Sequence, residues 1–251
     1  MATYNIYYSP TGGTKKVADI LAGSLSESFE NIDLLKKTED IVSFHEDDLC
    51  VISVPAFGGR VPADAIRKLK FFKANKTNAV LVAVFGNRAI DDTLIELYDL
   101  AVSLGFETVA GIEAVAEHSL IRLYGAGRPN DQDRTELESF SMQILSKLNN
   151  GPSDPPSIPG NRPYKEFKAS AMSLEVDDNC INCKKCAREC PVAAIPMDNV
   201  KTVDAEKCFS CMRCVAVCPK SARHYSPSVL SALNERLRDR CSGVKPNKLY
   251  L

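Results

Sequence analysis

The sequence carries almost no net charge, no apolar run long enough to cross a bilayer, and no tryptophan. Its 31 Lys and Arg stand against 32 Asp and Glu, a formal charge of −1. No basic surplus exists to draw it to nucleic acid or to an anionic membrane. A spanning helix needs about 20 consecutive apolar residues, and no such run is present. The opening stretch, Ala2 to Tyr8, reads as a strand and not as a signal peptide. These absences predict a cytoplasmic protein with neither nucleic acid nor membrane as partner. Two nucleotide-binding fingerprints are missing as well. Neither G-x-x-x-x-G-K-[ST] nor G-x-G-x-x-G follows the first strand, which excludes a Walker loop and a dinucleotide site there.

Cysteine, by contrast, is abundant. There are 10, in a chain expected in a compartment where structural disulfides are rare. Cys50 stands alone and reads as a core thiol, and Cys241 as a tail thiol. The other eight form two groups: Cys180–Pro191 is CINCKKCARECP and Cys208–Pro219 is CFSCMRCVAVCP, an internal repeat offset by 28 residues. Each group is C-x2-C-x2-C-x3-C-P. Zinc ribbons use cysteines two at a time across longer spacers. Three cysteines in register wrap one face of an iron–sulfur cubane, and a fourth leads away into a short helix, with proline fixing the exit. The apolar Ala193, Ala194, Ile195, Val215 and Val217 are expected as a dry shell around the sulfurs.

Residues 1–150 alternate strand and helix patterns. Strands are predicted at Thr3–Tyr8, Ile32–Leu35, Leu49–Val54, Ala79–Phe85 and Phe106–Ala116. Helices are predicted at Lys15–Phe29, Ala63–Phe72, Asp91–Ser103 and Asp133–Leu148. That alternation implies a doubly wound parallel sheet covered on both faces. Residues 151–172 are rich in Pro and Gly and read as a semi-rigid linker. Residues 173–251 then form a small second domain, α+β in class, ending in an amphipathic helix, Pro227–Arg240, with Ser226 as its cap.

The first strand runs through Ser9, Pro10, Thr11, Gly12, Gly13 and Thr14 directly into a helix. Glycines admit a ligand close to the backbone, successive N–H groups make an anion nest, and the helix N-terminus adds positive potential. Such a loop suits a phosphate monoester.

This [ST]-x-T-G-x-T pattern, with the strand–helix order around it, resembles the FMN phosphate loop of flavodoxins. The resemblance implies a five-stranded sheet of order 2-1-3-4-5 and further flavin contacts after the third and fourth strands, here Ala56, Phe57, Gly58 and Gly59, then Gly86, Asn87 and Arg88. Phe57 is expected to stack on the flavin, Gly58 or Gly59 to present a peptide to flavin N5, and Asn87 to bond the pyrimidine edge. Residues Leu174–Tyr225 resemble bacterial two-cluster [4Fe–4S] ferredoxins. That family implies one cluster on Cys180, Cys183, Cys186 and Cys218 and another on Cys208, Cys211, Cys214 and Cys190. The whole chain resembles the flavodoxin–ferredoxin fusions called EFR-family ferrodoxins, which share Gly86-Asn87-Arg88 and Ala116-Glu117-His118-Ser119. It departs from flavodoxins in lacking tryptophan and in placing Arg60 and Arg88 where acidic residues are common. His118 and Glu117 read as a polar loop rather than as catalytic groups.

The function implied is electron transfer between two [4Fe–4S] clusters and FMN, with an unidentified reductase or radical enzyme as redox partner protein. The alternatives are a flavin-dependent reductase of a small substrate and a redox sensor.

Overall fold

In the computed structural model, residues 2–36, 39–151, 154–167 and 174–251 are described. The first part of the chain runs β1 (Thr3–Tyr7), α1 (Gly13–Leu25), β2 (Glu30–Asp33), a two-residue β3 (Val42–Ser43), β4 (Leu49–Pro55), α2 (Ala63–Leu69), a two-residue β5 (Phe72–Lys73), β6 (Thr77–Phe85), α3 (Thr93–Ser103), β7 (Phe106–Val115) and α4 (Asp131–Asn149). The second part runs β8 (Glu175–Val176), α5 (Lys185–Arg188), α6 (Arg213–Ala216), β9 (Arg223–His224), α7 (Pro227–Cys241) and β10 (Lys248–Tyr250).

Five strands pair in parallel in the order β2-β1-β4-β6-β7. This is the 2-1-3-4-5 order of a flavodoxin-like sheet. A sixth strand, absent from the sequence expectation, is added at its edge: β10, from the far end of the chain, pairs antiparallel with β7. All seven residues of β4 are buried, as the apolar run required of a strand covered on both faces. Ile52, Leu81 and Leu97 belong to the core on one side of the sheet. Val51, Val82, Leu21 and Leu137 belong to the core on the other. Each such side chain contributes about 1.5–3 kcal/mol by leaving water.

Element ends differ from the sequence reading for local reasons. The first helix begins earlier because Gly12 takes the left-handed conformation, φ 93°, at its N-cap. The second helix stops at Leu69 because Phe72 leaves it to pair with Val42. The capping box of Asn130 and Asp133 starts α4 two residues before the expected position.

The expected linker is not free chain where it is described. Residues 154–167 lack helix and strand but lie along α3 as a strap. Asp92, 2% exposed, accepts from Asn161 N at 2.8 Å and from Lys165 N at 2.6 Å, and Asp99 accepts from Arg162 Nε at 2.8 Å. No helix among the described residues is long and apolar enough to cross a membrane.

Candidate functional site

Because the strands are parallel, the turns after β1, β4, β6 and β7 leave from one edge of the sheet, where the chain order reverses between β1 and β4. Ligands of open α/β sheets bind at that position. A cavity of about 290 Å³ occupies it, lined from the sheet by Pro10, Thr11, Gly13 and Thr14, by Pro55 to Gly58, by Gly86, Arg88 and Ala89, and by Ala116 to Leu120. Its roof comes from elsewhere in the sequence: Phe167 of the strap, Phe209 and Ser210 of the second cysteine group, and Leu233, Arg236 and Leu237 of α7.

The first turn has open donors. Lys15 N–H donates to Ser9 Oγ at 2.9 Å and Lys16 N–H to the Gly12 carbonyl at 3.1 Å. The N–H groups of Thr11, Gly12, Gly13 and Thr14 have no partner among the described residues. The 13-residue α1 that follows carries no side-chain cap. A helix N-terminus with free N–H groups is suited to an anion. Ser9 therefore shapes the turn and does not line the cavity, and Gly12 also stays off the wall.

Of the later turns, Ala56, Phe57, Gly58, Gly86 and Arg88 line the cavity, whereas Gly59 and Asn87 do not. Asn87 was expected at a ligand edge. Its Nδ2 instead donates to the carbonyls of Cys241 at 2.6 Å and Gly243 at 2.8 Å, so its amide holds the C-terminal tail. Arg60 also turns away. It forms a two-bond pair with Glu96, at 2.8 and 2.6 Å, and donates to the Lys165 carbonyl at 2.7 Å, anchoring the strap. Its charge is neutralised there, while Arg88 stays at the cavity and pairs with Asp91.

Gly58 sits at φ 62°, and a Cβ built on it would lie 2.1 Å from the Phe167 ring, so a larger residue there is strained and displaces that ring. His118 packs on Gly86. Its Nδ1 accepts from the N–H groups of Leu120 at 3.2 Å and Ile121 at 3.1 Å, so a ring proton resides on Nε2. Burial, with Arg88 adding to it, pushes its pKa down to about 4. His118 is thus a neutral donor at the cavity wall.

The eight cysteines of the repeat line two further cavities. Cys180, Cys183, Cys186 and Cys218 line one; Cys190, Cys208, Cys211 and Cys214 line the other. In each, the fourth cysteine of one group joins three from the other. No group of three or more Cys, His, Asp or Glu among the described residues closes around a single ion. Each quartet surrounds a hollow.

Burial pushes the Cys211 thiol up to about 12 and the Cys214 thiol up to about 11; a metal bound there would hold both as thiolates. Ala194 N–H donates to Cys190 Sγ and Ala222 N–H to Cys218 Sγ, both at 3.3 Å. These are the outer contacts that tune a metal's sulfur ligands. Ala194 and Ile195 are buried as expected of a dry shell, but Ala193 is exposed, and Val215 and Val217 are half-buried.

The second quartet adjoins the sheet cavity. Phe209 and Ser210 line both. The Phe209 ring sits 6.2 Å from that of Phe57, and Arg213, paired with Glu189, donates to the Pro10 carbonyl at 3.3 Å. Phe209, α7 and Phe167 escaped the sequence reading because each reaches the cavity through long-range packing that leaves no local motif.

Residues 179–222 match the model of the 4Fe-4S dicluster domain. No curated protein matches the sequence. Among solved structures, flavodoxin 1 from Bacillus cereus is similar at 17% identity and TM-score 0.43, over 58% of this chain and 98% of that one. The flavodoxin of Streptococcus pneumoniae TIGR4 is similar at 18% identity and TM-score 0.40, over 59% and 99%. Rubredoxin oxygen:oxidoreductase from Desulfovibrio gigas is similar at 14% identity and TM-score 0.42, over 59% of this chain and 37% of that one. The chain therefore joins a flavodoxin-like α/β domain, by its strand order, to a 4Fe-4S dicluster domain, by its matched residues.

Proposed function

We propose that the protein is an internal electron relay, with FMN in the sheet cavity and a [4Fe–4S] cluster in each cysteine-lined hollow. The observation that carries this reading is the shared wall: Phe209 and Ser210 line both the sheet cavity and the hollow of Cys190, Cys208, Cys211 and Cys214. On this reading the free N–H groups of Thr11 to Thr14 receive the FMN phosphate, and Phe57 and the neutral His118 flank the ring system. The clusters carry single electrons, while flavin accepts one or two, so their union can connect one-electron and two-electron partners. The protein's own part is to bind both groups, keep water from them and hold them at fixed separation.

That separation is held at several points. Tyr124 OH donates to Asn234 Oδ1 of α7 at 2.6 Å, Asn87 grips the tail, and β10 joins the sheet. The external partner on this reading is a redox protein, consistent with the exposed Cys183 in the first cysteine group.

The test is an anaerobic reductive titration of the full chain that follows flavin and cluster absorbance together. About eight irons, matching acid-labile sulfide and one FMN per chain are expected. Stoichiometric zinc without sulfide, or iron–sulfur protein that takes up no flavin, contradicts the proposal.

A further inference from the structure

The two halves of the cysteine repeat are near copies in backbone. Asn182 and Ser210 have φ 51° and 57°, Lys184 and Met212 have 61° and 64°, and Ala193 and Ser221 have 49° and 51°. The N–H···Sγ bonds of Ala194 and Ala222 repeat as well. The halves are not copies in charge. The residue after Ala194 is Ile195, and its counterpart after Ala222 is Arg223. Both are buried, 4% and 3% exposed. Ile195 lines the hollow of the second quartet, and Arg223 lines the hollow of Cys180, Cys183, Cys186 and Cys218.

Arg223 is incompletely partnered. Its Nη2 donates to the carbonyl of Val200, which lines the same hollow. Its Nη1 is buried with no hydrogen-bond partner, and no ion pair neutralises the group, among the described residues. A buried guanidinium keeps its charge and is costly to desolvate unless a negative charge stands near it. The other hollow has a cation too, Arg213, but that one is paired with Glu189. Thus one hollow has an uncompensated buried cation and the other a neutralised pair.

We infer that Arg223 is the counter-cation of the cluster held by Cys180, Cys183, Cys186 and Cys218, and that it raises that cluster's reduction potential above its neighbour's. The first electron to reach the pair then rests on the cluster whose hollow shares no wall residue with the sheet cavity. This rests on the cluster reading above. Reduction adds one electron, hence one negative charge, to a cluster. A fixed positive charge in a low-dielectric site stabilises the reduced form over the oxidised one. The charge also reaches Cys214 of the second quartet; the asymmetry rests on the lining, since Arg223 and its partner Val200 line the first hollow and not the second. Lys184 lines that hollow as well, from a half-exposed position where solvent and salt screen it.

The experiment is an anaerobic redox titration of the full-length holoprotein, with the clusters followed by electron paramagnetic resonance and the flavin by absorbance. The natural chain is expected to show two resolved one-electron cluster steps. Arg223→Gln keeps an N–H donor for Val200 and removes the charge. It should lower the upper step and cut the equilibrium preference for that cluster about tenfold or more, leaving the flavin step in place. Arg223→Lys should restore most of the preference. Glu189→Gln, which frees Arg213 beside the second hollow without touching Arg223, should narrow the gap from the other side.

A separation unchanged in Arg223→Gln overturns the inference, as does Arg223→Lys behaving like Arg223→Gln. Iron and sulfide analysis separates the two ideas. Full iron with unaltered steps overturns only the role of Arg223, whereas absence of labile sulfide overturns the clusters themselves.

Discussion

Asn247→Ala should loosen the end of the chain from the sheet by an amount the structure allows to be estimated. Asn247 is 4% exposed; its Oδ1 accepts from Val115 N–H at 2.8 Å, and its Nδ2 donates to Asp133 at 2.9 Å and Glu136 at 2.6 Å. Alanine removes all three bonds and leaves the Val115 N–H buried and unpaired. A bond to a charged group is worth about 1.5–3 kcal/mol, and an orphaned buried donor costs about 1–3 kcal/mol. The carboxylates can recover part of their loss, since Asp133 keeps Arg128 and the Asn130 N–H. A net cost of about 3 kcal/mol follows, which is roughly a 150-fold rise in local opening. The assay is native-state amide exchange at Lys248 to Tyr250, paired with β7. Exchange there should accelerate about 100-fold while β4 and β6 amides hold their protection. Unchanged exchange at β10, or an equal loss across the whole sheet, refutes the tail clamp.

Acid should act through the same cluster. Burial pushes the Asp133 carboxyl upward, but the bonds from Arg128, Asn130 and Asn247 together outweigh it and hold its pKa below the ordinary value. Its contribution is then complete above the unfolded value near ~3.9 and is lost as pH falls through the lower folded value, so tail protection should match at pH 7 and pH 5 and fail only in stronger acid. Cys218→Ala should damage the cluster of Cys180, Cys183 and Cys186, 32 to 38 residues away in sequence, and spare the one that Cys208, Cys211 and Cys214 hold; iron analysis and resonance spectra decide. Thr11→Val with Gly12→Val should abolish flavin binding and leave iron content unchanged, since Gly12 sits at φ 93° and valine is strained there; FMN at full occupancy contradicts the phosphate assignment. With His118 down to about 4, the bound flavin's absorption should be flat from about pH 5.5 to 8 and change only near that value; a transition near ~6.5 contradicts the neutral donor.

Much of this architecture is legible in the sequence because its causes are local. Leu49–Pro55 is apolar at every position but Ser53, and such a run has few homes besides a strand covered on both faces. The two copies of C-x2-C-x2-C-x3-C-P carry the crossed quartets through their resemblance to two-cluster ferredoxins, and the two hollows are lined in that pattern. Gly12 and Gly13 mark a turn that needs a left-handed residue. What stayed illegible depends on partners far along the chain. Asn87 has the right place for a ligand contact, yet Cys241 and Gly243, more than 150 residues later, take its amide. Arg60 has a suitable place too, and Glu96 and the strap claim it. β10 is three residues long, too short for any periodic signal, and owes its existence to the free edge of β7.

On the proposed reading, electrons pass between flavin and clusters within one chain, across the wall of Phe209 and Ser210. The direct measurement is rapid reduction of the clusters in the loaded protein, with the flavin followed in time at protein concentrations spanning about a hundredfold. Transfer inside the molecule is a first-order process, since its partners stand at fixed separation and not at bulk concentration. One flavin reduction rate is expected at every concentration. A rate that climbs in proportion to protein concentration places the transfer between molecules and contradicts the internal relay.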